Sequence, residues 1–197
     1  MNEWLILLKL YRMARTETTS IPLGFQAPSF SLPEPRTGRM VSFQEVSGEK
    51  ATVVMFICNH CPYVTHVREV LIALAEAYRQ SGVYFIAISS NDVENYPQDS
   101  PELMAQLAEE MNFPFPYLFD EDQSVAKAYY AACTPDFSVF DAKLKCVYRG
   151  RMDGSTPGND VPVTGADLRQ ALDDLLEGRS VSDLQLPSIG CNIKWKA

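Results

Sequence analysis

The 197-residue chain reads as a single α/β domain in three layers, helices on both faces of a central mixed sheet. Three observations predict this. Two apolar runs, Thr52–Ile57 and Val83–Ser89, have the near-continuous, β-branched character of strands buried on both faces. A helix-period stretch follows each of them, and strands joined through helices pair in parallel. Two short strands follow later, over Phe137–Phe140 and Lys145–Arg149, with Asp141-Ala142-Lys143 as the turn of an antiparallel hairpin on the sheet's edge.

The elements follow in order. Residues 1–20 form an N-terminal extension, residues 21–178 the domain, and residues 179–197 a C-terminal tail packed on it. In the extension the apolar run Trp4–Leu8 precedes Lys9 and Arg12, which is the wrong charge order for a secretory leader. Met1–Arg12 is either an upstream start or a docking arm. Pro22, Pro28, Pro33 and Pro35 make an irregular entry. Phe30–Leu32 is a short strand, and Val41–Val46 a strand or one helical turn. Pro62–Gln80 is a helix, with Val64, Val67, Leu71, Leu74 and Tyr78 on one face and Ser81-Gly82 ending it. Asn91–Ser100 is a polar loop. Pro101–Met111 is a second helix with Ser100 at its N-cap and Leu103, Met104, Leu107 and Met111 as its apolar stripe. Phe113–Pro116 is an extended connection and Asp122–Tyr130 a short helix. Thr164–Leu176 is the last helix, where Thr164 and Asp167 have the spacing of a capping box. The tail has little periodicity and is expected to wrap the surface.

Composition narrows the function. Acidic residues outnumber basic ones 25 to 17, a net charge of −8, so nucleic acid and anionic membranes are not expected partners. No stretch approaches the ~20 apolar residues of a membrane span. The five cysteines are odd in number and scattered, which fits a reducing, cytoplasmic compartment with one reactive pair better than a disulfide framework.

That pair is Cys58-Asn59-His60-Cys61, placed where the first buried strand ends and Pro62 opens a helix. In an open α/β sheet the carboxyl ends of the parallel strands are where reactive groups gather. Free amides at a helix N-terminus favour negative charge and can lower a thiol from about 8.5 into the ~3.5–7.5 range. Cys58 is expected to be the exposed attacking thiol, and Cys61, within the helix, to resolve the mixed disulfide. His60 either stabilises the thiolate as a cation or is a neutral surface side chain. A zinc site from Cys58, His60, Cys61 and His66 is the competing structural reading, weakened because no second C-x-x-C closes it. Haem attachment would need His where Pro62 stands. No cofactor or metal is expected.

Thr134-Pro135 is the second piece. A cis bond there would hold its loop against the cysteines, and the Thr134 backbone would be free to pair with a substrate chain by strand addition. Cys133, two residues before Pro135, is either a third redox thiol or a small buried hydrophobe. Cys146 reads as core, and Cys191 carries no signal in its aperiodic tail.

With these residues in place the chain resembles the thioredoxin superfamily. Ala27-Pro28-Ser29-Phe30 with Leu32 is similar to the entry motif of its redoxin branch, which includes peroxiredoxins and thiol-specific antioxidant proteins. Phe56–Val64, Cys133–Asp141 and Pro187–Lys196 resemble an uncharacterised bacterial thioredoxin-family subgroup. The resemblance, over about residues 14–197, implies a thioredoxin-like fold and thiol–disulfide chemistry. It implies a disulfide-containing protein or small-thiol substrate and an electron donor that it does not name. There are departures. Ile57 and Asn59-His60 replace the thioredoxin pattern around and between the cysteines, and Thr52–Ile57 lacks its buried acid. Met55 and Ala51 stand where peroxiredoxins carry Thr and Pro, so a thiol peroxidase is the second reading. A thiol-based metal-binding module is the third.

Overall fold

The computed structural model describes residues 15–197. Met1–Arg12, and with it the choice between an upstream start and a docking arm, lies outside the described residues. The chain enters through β1 (Arg15–Glu17), the hairpin β2 (Ser31–Glu34) and β3 (Arg39–Ser42), and one helical turn α1 (Phe43–Val46). Then come β4 (Ala51–Phe56), α2 (Pro62–Arg79), β5 (Val83–Ser89), α3 (Pro101–Glu110) and β6 (Tyr117–Phe119). The rest is α4 (Ser124–Ala128), β7 (Cys133–Thr134), β8 (Asp136–Asp141), β9 (Cys146–Gly150), α5 (Ala166–Leu176) and β10 (Ile189–Asn192).

The central sheet has the order β6-β5-β4-β8-β9. β4, β5 and β6 are parallel, and β8 and β9 close the other side antiparallel. This is the mixed three-layer sheet that the sequence predicts. Alternation along β4 divides its side chains between two cores. Val53 and Met55 pack with Val64, Leu71 and Leu74 of α2, Met104 of α3 and Leu168 and Leu172 of α5. Val54 and Phe56 pack with Phe30, Leu32, Phe43, Val125 and Tyr129 on the opposite face. Every residue of β4 is buried, which is why its sequence shows no polar alternation.

Four expectations are corrected. The extended connection Phe113–Pro116 runs on into a sheet strand, Tyr117–Phe119, unassigned from the sequence; it pairs with Ala87–Ser89, and three residues between Pro116 and Asp120 are too short to show a period. Leu103 is exposed, and Met104 and Ala108 are the buried positions of α3. The capping box at Thr164 does not form. Gly165, at φ 69°, is the N-cap of α5, and the Asp153 carboxylate accepts the Thr164 and Gly165 amides at 2.8 and 2.6 Å. A long-range acceptor has replaced the local one.

The fourth correction matters most. The tail is not an irregular wrap. Its strand β10 is the middle of a second sheet, β1-β10-β7, antiparallel to both neighbours. Cys191 pairs with Arg15 on one side and Thr134 on the other. The last residues of the segment assigned to the N-terminal extension are therefore built into this sheet as well.

Candidate active site

β4 delivers the chain to the motif, and the Ile57 amide makes the last sheet bond, to the Ile88 carbonyl at 3.0 Å. Cys58, Asn59 and His60 form the loop, and α2 begins with Pro62 at its first position. Cys61 is the N-cap, not an interior residue of the helix as the sequence suggested; its carbonyl accepts the Thr65 amide at 2.9 Å. Both sulfurs are enclosed. Cys58 is 2% exposed and Cys61 0%, so the expectation of an exposed attacking thiol is not met in this state.

The Thr134–Pro135 peptide is cis, and it turns Thr134 onto the cysteines. Thr134 Oγ1 lies 3.5 Å from Cys58 Sγ, and the Cys61 thiol donates to the Thr134 carbonyl oxygen at 3.2 Å. The expected free backbone edge at Thr134 does not exist, because β10 is already paired with it. A cleft of about 200 Å³ opens beside Pro135, lined in part by Arg15, Val67, Arg151, Ser155 and Ile189.

Two site residues escaped the sequence reading. The first is Asp99, fully buried at the end of a short 3-10 turn, Pro97–Asp99. Its Oδ1 accepts the amides of Asn59 and His60 at 2.8 and 3.2 Å. Its Oδ2 is 2.6 Å from His60 Nδ1 and accepts Asn91 Nδ2 at 2.8 Å. The motif loop is held further by Asn59 Nδ2 on the Gln98 carbonyl and by the Tyr117 hydroxyl on Asn59 Oδ1, each at 3.1 Å. His60 stacks on Tyr96, centroids 5.8 Å apart. His60 is thus tied to a carboxylate rather than acting as a lone cation between the thiols. A buried acid does serve this centre, but it comes from the loop after β5, not from the strand before the motif.

The second is Cys191, whose Sγ lies 3.0 Å from Cys61 Sγ. The tail's lack of period hid it; Gly190 was the available signal, as shown below. Cys133 is packed away from the pair. It is fully buried, 3.9 Å from Thr18 Oγ1, and its thiol donates to the Pro135 carbonyl at 3.7 Å. Burial, reinforced by Asp136, pushes that thiol up, the behaviour of a packed hydrophobe rather than a reactive group. Cys146, at 1% exposure, is core as expected. His66 is engaged elsewhere, its Nε2 2.7 Å from Ser155 Oγ, so it does not join the zinc set that the sequence allowed.

The two thiols are shifted in opposite directions. The Cys61 thiol is held far below its ordinary value. Its hydrogen bonds with Cys191 and with Cys58 are the main cause, with smaller contributions from Thr134 and from the Val64 amide at the start of α2. Cys58 is pushed up by its hydrogen bond with Cys61, by burial and by the Asp99 charge. The helix N-terminus acts on the residue that caps it, which is Cys61. Of the two thiols, Cys61 is thus the one that ionises more readily. Cys58 Sγ, a His60 nitrogen and an Asp99 oxygen also lie within 4.8 Å of one another. They offer three ligand atoms, and His60 Nδ1 and Asp99 Oδ2 are engaged with each other.

Comparison with known proteins identifies the family and the fold. The AhpC/TSA family model matches residues 23–149. No curated protein matches the chain. A crystal structure of an uncharacterised conserved protein from Geobacillus kaustophilus is 58% identical, with a TM-score of 0.91, and the match covers 92% of this chain and 96% of that one. A hypothetical protein from Sinorhizobium meliloti is 45% identical, with a TM-score of 0.90 and coverage of 92% and 99%. The thioredoxin domain of a thiol-disulfide oxidoreductase from Bacteroides vulgatus shares the fold, at 18% identity, a TM-score of 0.55 and coverage of 76% and 98%. The chain belongs to the AhpC/TSA family and has a thioredoxin-like fold.

Proposed function

We propose that this member of the AhpC/TSA family is a thiol–disulfide oxidoreductase that cycles Cys58 and Cys61 between dithiol and disulfide. The observation that carries the reading is the placement of both sulfurs at the end of β4 and the start of α2, against the cis Thr134–Pro135 peptide. Cys58 precedes the helix and Cys61 caps it, so Cys58 is assigned as the sulfur that attacks an incoming disulfide. Its proton passes to the neighbouring Cys61 thiolate as it attacks. One substrate sulfur joins Cys58 and the other leaves as a thiolate. Cys61, giving its proton to the released substrate thiolate, then attacks Cys58 Sγ, releases the second substrate thiolate and closes Cys58–Cys61. Asp99 acts on the loop rather than on the substrate: it fixes the Asn59 and His60 amides and orients the His60 ring. Thr134 positions both sulfurs. The substrate class is a disulfide, in a protein or a small molecule, and the oxidised form is returned by an external thiol donor in the cytoplasm.

The test is reduction of insulin and of oxidised glutathione by the full chain, with dithiothreitol as donor. Loss of both activities in Cys58→Ser supports the assignment, and equal rates in wild type and variant end it. Family membership favours one second reading, a thiol peroxidase. Against it, Met55 and Ala51 are buried apolar residues of β4 and offer a peroxide no hydroxyl or proline turn. Stopped-flow consumption of hydrogen peroxide no faster than by free cysteine dismisses that reading.

A further inference from the structure

The strand that fills the expected substrate edge carries a thiol of its own. β10 lies antiparallel to β7, with Cys191 opposite Thr134 and Asn192 opposite Cys133. β7 leads directly into the cis peptide. The chain's own tail therefore sits where a substrate strand would add, and Cys191 stands where a substrate cysteine would be presented.

The fit is specific. A Cβ on Gly190 would collide with the Thr134 carbonyl oxygen and lie 2.6 Å from its carbonyl carbon and 3.2 Å from the Pro135 nitrogen. These are backbone atoms next to the cis bond and cannot swing aside. Only glycine lets β10 come this close, and it stands immediately before Cys191. The result is a Cys61–Cys191 sulfur separation of 3.0 Å, inside the ~3–3.5 Å range of reacting atoms in a near-attack arrangement. Packing alone does not require this. Cys146 is equally buried, but its thiol donates to the Tyr148 carbonyl and approaches no other sulfur among the described residues.

We propose that Cys191 is a third redox thiol of this centre, which attacks Cys61 in the oxidised protein and moves the disulfide from Cys58–Cys61 to Cys61–Cys191. The inference rests on the dithiol reading above. The step is an internal exchange. The Cys191 sulfur forms the new S–S bond to Cys61 as the Cys58–Cys61 bond breaks. Cys58 leaves as a thiolate, and the proton lost by Cys191 is available to it. No electrons enter or leave, so no oxidant or reductant is needed. Cys58 is returned to the thiol state while the oxidation is stored at the buried pair, from which an external dithiol removes it.

Disulfide mapping of the full chain tests this. Reduced protein is oxidised with glutathione disulfide, quenched in acid, blocked with N-ethylmaleimide and digested with trypsin without reduction. Cleavage after Lys50, Arg68, Arg179 and Lys194 puts Cys58 and Cys61 on residues 51–68 and Cys191 on residues 180–194. The expected result in wild type is a cross-link between these two peptides, placed by fragmentation at Cys61. In Cys58→Ser it becomes the sole protein disulfide. Gly190→Ala keeps every thiol but forces β10 away, so it loses the cross-link and retains the Cys58–Cys61 bond. The proposal is overturned if wild type contains only Cys58–Cys61 and Cys58→Ser carries only glutathione on Cys61. That outcome leaves the dithiol reading intact. Wild type with no disulfide at either pair overturns both.

Discussion

Asp99→Asn probes the electrostatics that set the reactivity of Cys58. A carboxylate oxygen of Asp99 lies within 4.8 Å of Cys58 Sγ, and both groups are buried. Two like charges at that separation repel by about 3.5 kcal/mol at an effective dielectric of ~20. The expected result is a fall in the Cys58 midpoint, because the Asp99 charge is among the causes that push it up. The substitution keeps an oxygen for the Asn59 and His60 amides and loses the acceptor for His60 Nδ1 and Asn91. A loss of about 1–3 kcal/mol in stability should accompany it. The assay is the rate of iodoacetamide alkylation of Cys58 against pH. Both proteins carry Cys61→Ser, so that no proton is shared within the pair. An unchanged or raised midpoint in a folded Asp99→Asn protein refutes the claim that the Asp99 charge opposes the Cys58 thiolate.

Three further outcomes are expected. Arg149 holds the fully buried Asp136 at 3.0 Å, and burial still pushes that carboxyl up to about 6 from 3.8. The folded value lies above the unfolded one, so the contribution of Asp136 to stability is full below about pH 4 and is lost as pH rises through 6. Arg149→Met should deepen that loss, costing about 3–5 kcal/mol at pH 7.5 and clearly less at pH 4.5 in denaturant titrations. Asp153→Ala strands the amides of Ser155, Thr164 and Gly165, and should lower the melting temperature by about 5–15 °C through a cost of roughly 2–4 kcal/mol. Turnover with oxidised glutathione should exceed that with insulin in wild type, and Gly190→Ala should narrow the gap, because the tail and not the thiols limits access by a protein strand; an equal preference in both proteins counts against this.

The parts of the fold legible in the sequence are those held by local periodicity. β4 and β5 are apolar throughout because both faces are covered, and α2 shows its stripe because only one face is. Ser100 and Pro101 mark the start of α3, where the Ser100 hydroxyl accepts the Leu103 amide at 3.4 Å. The cysteine pair and the cis bond at Pro135 were legible for the same reason, as short motifs at element boundaries. What escaped depends on partners distant in sequence. Asp99 is an acid in a polar loop, 40 residues from the Asn59 amide it accepts, and nothing nearby distinguishes it from Asp92. The Thr164–Asp167 spacing looked like a cap, but the amides it would have served are held by Asp153. β10 is four residues with no alternation, and its place is fixed by backbone pairing with β1 and β7 rather than by its side chains.

That last element alters how the site works. A thioredoxin-like centre open at the cis peptide would offer its backbone to any extended chain with a cysteine. Here the edge is closed by a strand that is itself anchored beyond the site. The Lys194 amide donates to Asn91 Oδ1 at 2.9 Å, and the Lys194 carbonyl accepts the Asp92 amide and Gln123 Nε2, each at 2.8 Å. Asn91 also donates to Asp99, which holds the motif loop. One network therefore fixes both the cysteines and the strand that covers them. Lifting β10 exposes these groups together, at about 1 kcal/mol for each bond lost. A protein substrate must meet that cost before it can pair with Thr134. On the proposed dithiol chemistry a small disulfide need not pair with Thr134 at all. On that proposal the closed edge would select substrate by size, while the same closure keeps Cys191 against Cys61.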